Sequence, residues 1–390
     1  MTLQLARPAA IAVRRGHPWV YREAVIRPPR ALSAGAIVDL ADDEGRPLAR
    51  GLWDPTAPIA IRILSLDPDE RLDAAALART LARAIARRDG WFSEQTTAYR
   101  LCNGEGDRAP GFVLDRYGDA AVIRLDTDAW IPHLTAVVRG LTAPLADRGV
   151  RSILRRLESP GPDGRKIELL AGPVPPDRVV VLEHGARMEV DLAHGQKTGA
   201  FLDQRENRAR VRALARGRKR ALNLFSYAGG FSIAAALGGA ARVTSVDVAA
   251  AAHASAQRTF RENGVDPSAH AFVSADAFVF LEQAQKRGER FDLVISDPPS
   301  FAPSERARPR AEAAYRKLHG AIAAVLAEGA IFCAASCSSH VPMEDFLATL
   351  DDATLGRSDL TVREVHGQPA DHPSLPVWPE GRYLKFVVLG

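Results

Sequence analysis

Cysteine is scarce in this chain: Cys102, Cys333 and Cys337 are the three thiols in 390 residues. Three thiols make neither a disulfide framework nor a metal quartet, so no metal site is expected and a reducing cytoplasm suits them best. Long apolar runs are missing as well. No stretch approaches the ~20 residues needed to span a bilayer, and no membrane partner is expected. Met1 to Ala12 has no cationic start followed by an apolar core, so no secretory signal is predicted. A GxGxxG turn is also absent, which argues against a nicotinamide-dependent dehydrogenase. Strong charge of one sign is lacking: the net charge is +4, carried almost entirely by arginine. Arginine pairs bidentately with phosphate and stacks on bases, so a nucleic-acid partner is allowed. A GC-rich genome would produce the same excess.

What is present begins with length. At 390 residues the chain can form two or three domains, each with its own core. The organising stretch is Ala221-Leu222-Asn223-Leu224-Phe225-Ser226-Tyr227-Ala228-Gly229-Gly230-Phe231-Ser232, an apolar run entering a turn with two adjacent glycines. An alanine-rich helix follows, and a second apolar run ends in an acid at Val243-Thr244-Ser245-Val246-Asp247. Strand, glycine turn, helix, strand and terminal carboxylate form a unit suited to a nucleoside, the acid accepting from both ribose hydroxyls. A tight strand-to-helix turn in any α/β protein would look similar at the glycines.

Ahead of this stretch, residues 1–68 read as a small β-rich domain, with strands near 36–40 and 59–64 flanking turns. Arg14-Arg15-Gly16-His17-Pro18-Trp19-Val20-Tyr21 interleaves cations with aromatics, as a nucleic-acid surface does; Trp19 and Tyr21 fit the core of a small barrel equally well. Leu72, Leu77, Leu81 and Ile85 recur at helical steps, with Arg79, Arg83, Arg87 and Arg88 between them as the expected wet face. Strands near 113–118, 121–125 and 153–154, and a helix over 129–142, make 69–185 a middle α+β domain with a loop at 159–164. Cys102 reads as structural. A hairpin (179–182, 188–192) leads into His194 to Arg208, a stretch denser in hydrogen-bonding groups than a linker requires.

From 186 to 390 the βα alternation continues. Strands end near Asp276, Asp297 and Cys337, and two last strands (360–365, 383–389) predict an antiparallel hairpin closing a mainly parallel sheet. Ligands of doubly wound sheets sit at the carboxyl ends of strands, where Asp247, Asp276, Asp297 and Cys337 all fall.

This ordering resembles the class I S-adenosylmethionine-dependent methyltransferases, and more narrowly the bacterial 23S rRNA cytosine-5 methyltransferases of the RlmI type. The resemblance runs over nearly the whole chain. It rests on residues 14–20, on Gly195-Gln196-Lys197-Thr198-Gly199 with Leu202-Asp203-Gln204-Arg205, and on Phe225 to Phe231. Ser245-Val246-Asp247, Asp297-Pro298-Pro299, Ser336-Cys337-Ser338, 370–373 and 379–385 complete it. It implies a Rossmann-like sheet with an N-terminal β-barrel PUA domain that binds RNA through Arg14, Arg15 and Trp19, with Lys197 contributing. Asp247 would hold the cofactor ribose, Asp276 and Ala277 would meet the adenine, and Asn223, Phe225, Ser226, Tyr227 and Gly229 would line the methionine end. Phe201, Gln204, Arg205 and Asp297 would belong to the same pocket. The expected product is S-adenosylhomocysteine, the expected partner rRNA, and a homodimer is allowed. Two positions depart: Ser300 stands where a lysine is expected after the prolines, and Ser339 where glycine is common.

Carbon 5 of cytosine is a poor nucleophile, and a thiolate added at carbon 6 makes it enamine-like. Cys337 is placed for that addition, Cys333 reads as buried, and Asp297 is expected to hydrogen-bond the pyrimidine N3 and amino edge. N-methylation of a purine, or a non-catalytic RNA-binding assembly factor, are the competing readings.

Overall fold

The computed structural model describes residues 1–161 and 163–390; Pro162, within the loop expected at 159–164, lies outside the described residues. The described chain divides into two compact units. The first comprises Met1–Val181, Val190–Leu202 and Ala370–Gly381, the second Leu182–Glu189, Asp203–Pro369 and Arg382–Gly390. Two segments that lie in sequence within the 186–390 block therefore group with the first unit.

The first unit opens with a six-stranded sheet. Its strands are β1 (Thr2–Leu5), β2 (Trp19–Tyr21), β3 (Val25–Ile26), β4 (Ile37–Ala41), β5 (Pro47–Trp53) and β6 (Ile59–Ser65), in the order β2-β6-β5-β4-β1-β3. Helix α1 (Arg7–Arg14), with proline in its first turn, buries Ala10 and Val13 against this sheet's core. The basic-aromatic segment thus begins on a helix that the sequence reading did not anticipate. Helix α2 (Ala74–Ala86) is capped by the Asp73 carboxylate, which accepts from Ala76 N. It buries Leu77, Leu81 and Ile85 and exposes Arg79 and Arg83, and Arg87 just beyond it is exposed too. Arg88, expected on the same wet face, is instead buried against the Asp107 carboxylate. Strands β7 (Ala98–Asn103), β8 (Phe112–Tyr117), β9 (Ala120–Leu125), β10 (Ser152–Arg156) and β11 (Ile167–Ala171) form a second sheet, in the order β11-β10-β9-β8-β7. Helices α2 and α3 (Ile131–Ala146) share its core, with Phe112, Leu114, Trp130 and Leu141.

Strands β12 (Arg178–Glu183) and β13 (Ala186–Asp191) pair about a turn at His184 and Gly185, both with positive φ. The second unit then alternates: α4 (Arg205–Leu214), β14 (Arg220–Leu224), α5 (Gly230–Leu237), β15 (Arg242–Asp247), α6 (Ala250–Glu262), β16 (Ala271–Ser274), α7 (Ala277–Lys286) and β17 (Phe291–Ser296). It ends with α8 (Arg308–Ala323), β18 (Leu326–Ser336), α9 (Met343–Thr354), β19 (Val362–His366) and β20 (Lys385–Leu389). The seven strands lie in the order β16-β15-β14-β17-β18-β20-β19. Pairing is parallel from β16 through β18 and antiparallel for β18·β20 and β19·β20, the closing hairpin that the sequence predicts. Central strands are mostly apolar because both faces are covered by helices, with Asn223 in β14 and Ser245 in β15 as buried polar exceptions. One face packs Leu222, Val294, Tyr315 and Phe332, the other Ala221, Leu293, Cys333 and Phe386.

Helix α4 is tied down by charge. Arg208 Nε and Nη2 donate to the two Glu183 oxygens at 2.7 and 2.6 Å, and both side chains are buried. The carboxylate holds the guanidinium charged despite its desolvation. Truncating one partner strands a buried charge, a loss of about 3–5 kcal/mol. Glu183→Ala is expected to lower the thermal midpoint by several degrees in a melt followed by circular dichroism, with Glu183→Gln in between.

Candidate active site

The carboxyl edge of the parallel strands gathers most of the expected residues. After β14 the backbone reverses through Phe225 and Tyr227, at φ 57° and 44°, into Gly229 at φ 79°. Left-handed conformations are uncommon for non-glycine residues and concentrate at ligand-binding loops. Neighbouring groups hold the loop in place. Ser226 N donates 3.0 Å to Val246 O, Tyr227 N donates 2.8 Å to Asp247 Oδ2, and Ala249 N donates 2.9 Å to Asp247 Oδ1. Asp247 therefore clamps two turns by one accepted bond per oxygen, and each oxygen keeps a second lone pair for a ligand hydroxyl.

The glycine pair serves packing. A Cβ on Gly229 would lie 2.6 Å from Ala256 Cβ on α6, and one on Gly230 would lie 3.0 Å from Arg208 Cδ. Close helix approach is one thing these glycines permit in the structure.

Beneath the loop, Asn223 Nδ2 donates 2.8 Å to Ser232 Oγ, which also receives Ser245 Oγ at 2.7 Å. Asn223 Oδ1, Ser226 Oγ and Ser296 Oγ are buried without a partner. Ser296 sits opposite Leu224 in the β14·β17 register. Three orphaned polar atoms at the ends of two adjacent strands are what a bound polar ligand would satisfy, since buried polar groups are otherwise paired.

Asp276 caps α7, its Oδ1 accepting from Phe278 N at 2.9 Å and Val279 N at 3.1 Å; it is exposed, and Ala277 behind it is buried. Asp297 follows β17 and accepts 3.0 Å from Gln204 Nε2, whose Oε1 takes Asn207 Nδ2 at 2.6 Å. Arg205 is buried, with Nε 2.9 Å from Glu206. Cys337 follows β18, the neighbour of β17, and is half-buried, whereas Cys102 and Cys333 are fully buried with thiols pushed up by that burial.

The segment carrying Cys337 is braced from three sides. Tyr315 OH on α8 meets Ser336 Oγ at 2.8 Å and Ser338 Oγ at 3.0 Å. Ser300 Oγ lies 3.1 Å from Ser338 Oγ, and Lys385 Nζ donates to the Ser338 and Val341 carbonyls. Burial, together with the charges of Cys337 and Asp297, pushes the Tyr315 phenol up. The sequence reading gives Ser296 and Tyr315 no role, and Lys385 enters it only as the last residue of the 379–385 segment. Lys385 alone left a signal, a single cation opening an otherwise apolar strand.

In the first unit, Arg14 engages Asp42, which also takes Arg46 Nε at 2.7 Å, and Arg15 is exposed. Trp19 Nε1 donates 2.8 Å to Glu105 and its ring meets Trp378 edge-on at 5.1 Å. Lys197, at φ 51°, places Nζ 4.4 Å from the Phe201 ring centroid. The neighbouring Thr198 Oγ1 donates 2.5 Å to Asp115 Oδ2 in the interior, so this polar stretch is partly structural.

A family model described as S-adenosylmethionine-dependent methyltransferase matches residues 140–376, and one described as PUA-like domain matches 3–66. The chain belongs to the S-adenosylmethionine-dependent methyltransferase family. This methyltransferase is 40% identical to the "Ribosomal RNA large subunit methyltransferase" of Deinococcus radiodurans, over all of this chain and 97% of the relative. It is 35% identical to "Ribosomal RNA large subunit methyltransferase I" of Escherichia coli (strain K12), over 98% of this chain and 97% of that one. A solved Streptococcus mutans structure described as a SAM-dependent methyltransferase superposes with a TM-score of 0.87 at 25% identity, covering 100% of this chain and 99% of that one. A methyltransferase complexed with SAH superposes equally well. The methyltransferase is thus S-adenosylmethionine-dependent, with a Rossmann-like sheet and an N-terminal PUA-like domain. The buried orphans Asn223 Oδ1, Ser226 Oγ and Ser296 Oγ, with the Asp247 carboxylate, fit a ligand bearing hydroxyls, an amine and a carboxylate. Among the described residues no group of His, Cys, Asp and Glu fits a metal ion, and no helix is long and apolar enough to cross a membrane.

Because Gly229 combines a positive φ with contact at α6, Gly229→Ala adds strain and overpacking of about 1–3 kcal/mol. A melt of the ligand-free protein is expected to show the loss; an unchanged midpoint would contradict this packing.

Proposed function

We propose that this methyltransferase modifies carbon 5 of a cytosine in large-subunit ribosomal RNA, with Cys337 as the covalent nucleophile. Support for the substrate comes from the full-length relatives named as ribosomal RNA large subunit methyltransferases and from the PUA-like domain. The single observation that carries the chemistry is the placement of Cys337 and Asp297 directly after adjacent parallel strands, both within electrostatic reach of Tyr315.

When bound, S-adenosylmethionine supplies an electrophilic methyl. Asp247 would hold the ribose and Asp276 with Ala277 the adenine. Asn223, Phe225, Ser226, Tyr227 and Gly229 would surround the methionine end, with Gln204 and Arg205 behind Asp297. The Cys337 thiolate adds to carbon 6 of the base, and its electron pair makes carbon 5 nucleophilic. Asp297, oriented by Gln204, accepts from the exocyclic amine and fixes the ring. Carbon 5 would take the methyl as its bond to the sulfonium breaks, leaving S-adenosylhomocysteine; a base then takes the carbon 5 proton, the carbon 5–carbon 6 double bond re-forms and the bond from carbon 6 to the cysteine sulfur breaks to return the thiolate. Arg14, Arg15, Trp19 and Lys197 are the proposed RNA contacts. Arg14 and Arg15 are both exposed and Trp19 is half-buried, and Arg14 and Trp19 would have to share existing partners.

Labelled-methyl transfer to unmodified rRNA, followed by nucleoside mass spectrometry, tests the assignment. The expected product is 5-methylcytidine; an N-methylpurine would overturn it. Cys337→Ala is expected to abolish transfer with S-adenosylmethionine affinity nearly unchanged, and full retained activity would remove the covalent route. Asp247→Ala is expected to weaken S-adenosylmethionine binding about 10- to 100-fold in calorimetry, in line with hydrogen bonds to a charged group; an unchanged dissociation constant would take Asp247 out of the pocket.

A further inference from the structure

Lys385 opens β20, whose remaining residues are buried and apolar, and it is itself 2% exposed. In the β18·β20 register it stands opposite Ser336, one residue from Cys337. Its Nζ donates 2.6 Å to Ser338 O and 2.8 Å to Val341 O, spanning the turn that follows the thiol. Among the described residues no carboxylate pairs with it. A buried ammonium answered only by carbonyl dipoles is unfavourable for the fold, and a methionine would fill the same space without that penalty. A group retained against such a penalty invites a functional account.

The ionisable groups around the Cys337 thiol come from several elements: Asp297 after β17, Tyr315 on α8 and Lys385 on β20, with His340 on the same turn engaged by Glu305. Asp297 opposes a thiolate, and Tyr315 stays neutral because its phenol is pushed up. Lys385 supplies the buried positive charge.

We propose that Lys385 is a positioning residue for methyl transfer: its ammonium fixes the Ser338–Val341 turn, and its charge favours the thiolate form of Cys337. Burial lowers the Lys385 ammonium to about 8, while the neighbouring Cys337 raises it. Such coupling is mutual, so the cation that the thiolate stabilises stabilises the thiolate in turn. This role rests on Cys337 being the nucleophile, but its electrostatic part can be read without turnover.

The test is the pH dependence of iodoacetamide alkylation at Cys337 in the full-length protein, read by peptide mass mapping. Cys102 and Cys333 are fully buried and act as unreactive internal references. The wild-type midpoint is expected below the ~8.5 of an ordinary thiol. Lys385→Met is expected to raise it by about one pH unit, slowing alkylation near neutrality roughly tenfold, while Lys385→Arg restores most of the shift. Equal midpoints in folded wild-type and Lys385→Met proteins would overturn the proposal. If the methionine variant does not fold, a wild-type midpoint at or above the ordinary value overturns it alone. Inactive Cys337→Ala with equal midpoints removes Lys385 only; active Cys337→Ala with shifted midpoints removes the nucleophile and keeps the electrostatic effect.

Discussion

The in-register parallel pairing of β14, β15, β17 and β18 is the constraint on which the second unit's chemistry depends. Side chains alternate faces along a strand, so a slip of one residue would turn each inward set outward. In the observed register Leu224 faces Ser296 and Ser296 faces Ala334, which brings Asn223, Ser226, Asp247, Asp297 and Cys337 to one edge. The buried apolar runs of these strands enforce that alignment, and the polar residues appear where the runs stop.

That division explains what was legible in the chain. Runs such as Phe291 to Ser296 and Leu326 to Ser336 announce buried strands, and the acids terminating them announce an edge. Cys337 was legible for the same reason. The roles of Tyr315 and Lys385 were not, because they exist only through contacts between α8, β20 and the Ser336–Ser338 segment, far apart in sequence. The glycine pair was legible as a turn, but its packing of Gly229 against Ala256 on α6 was not, because α6 lies farther along the chain. Helix α1 escaped notice because Arg7 to Arg14 is short and its apolar face is small.

Asp247 and Thr198 illustrate two ways a polar side chain can serve architecture. Asp247 pins two backbone amides and still has lone pairs for hydroxyls. Thr198 instead spends its hydroxyl inward on Asp115, while His194 and Gln196 are exposed in the stretch that looked too polar for a linker.

The first unit is stitched by a distant piece of its own chain. Arg88, already paired with Asp107, donates 2.8 Å to the Asp371 carbonyl; Arg100 N donates 2.9 Å to the Asp371 carboxylate; and Asn103 Nδ2 donates 2.8 Å to Pro373 O. Genetic dissection therefore meets a topological obstacle. A fragment ending near residue 185 would strip the Arg100 amide and the Asn103 carboxamide of these acceptors and Arg88 of one of its several, so modules of this enzyme are exchanged between relatives most safely as whole, interleaved chains.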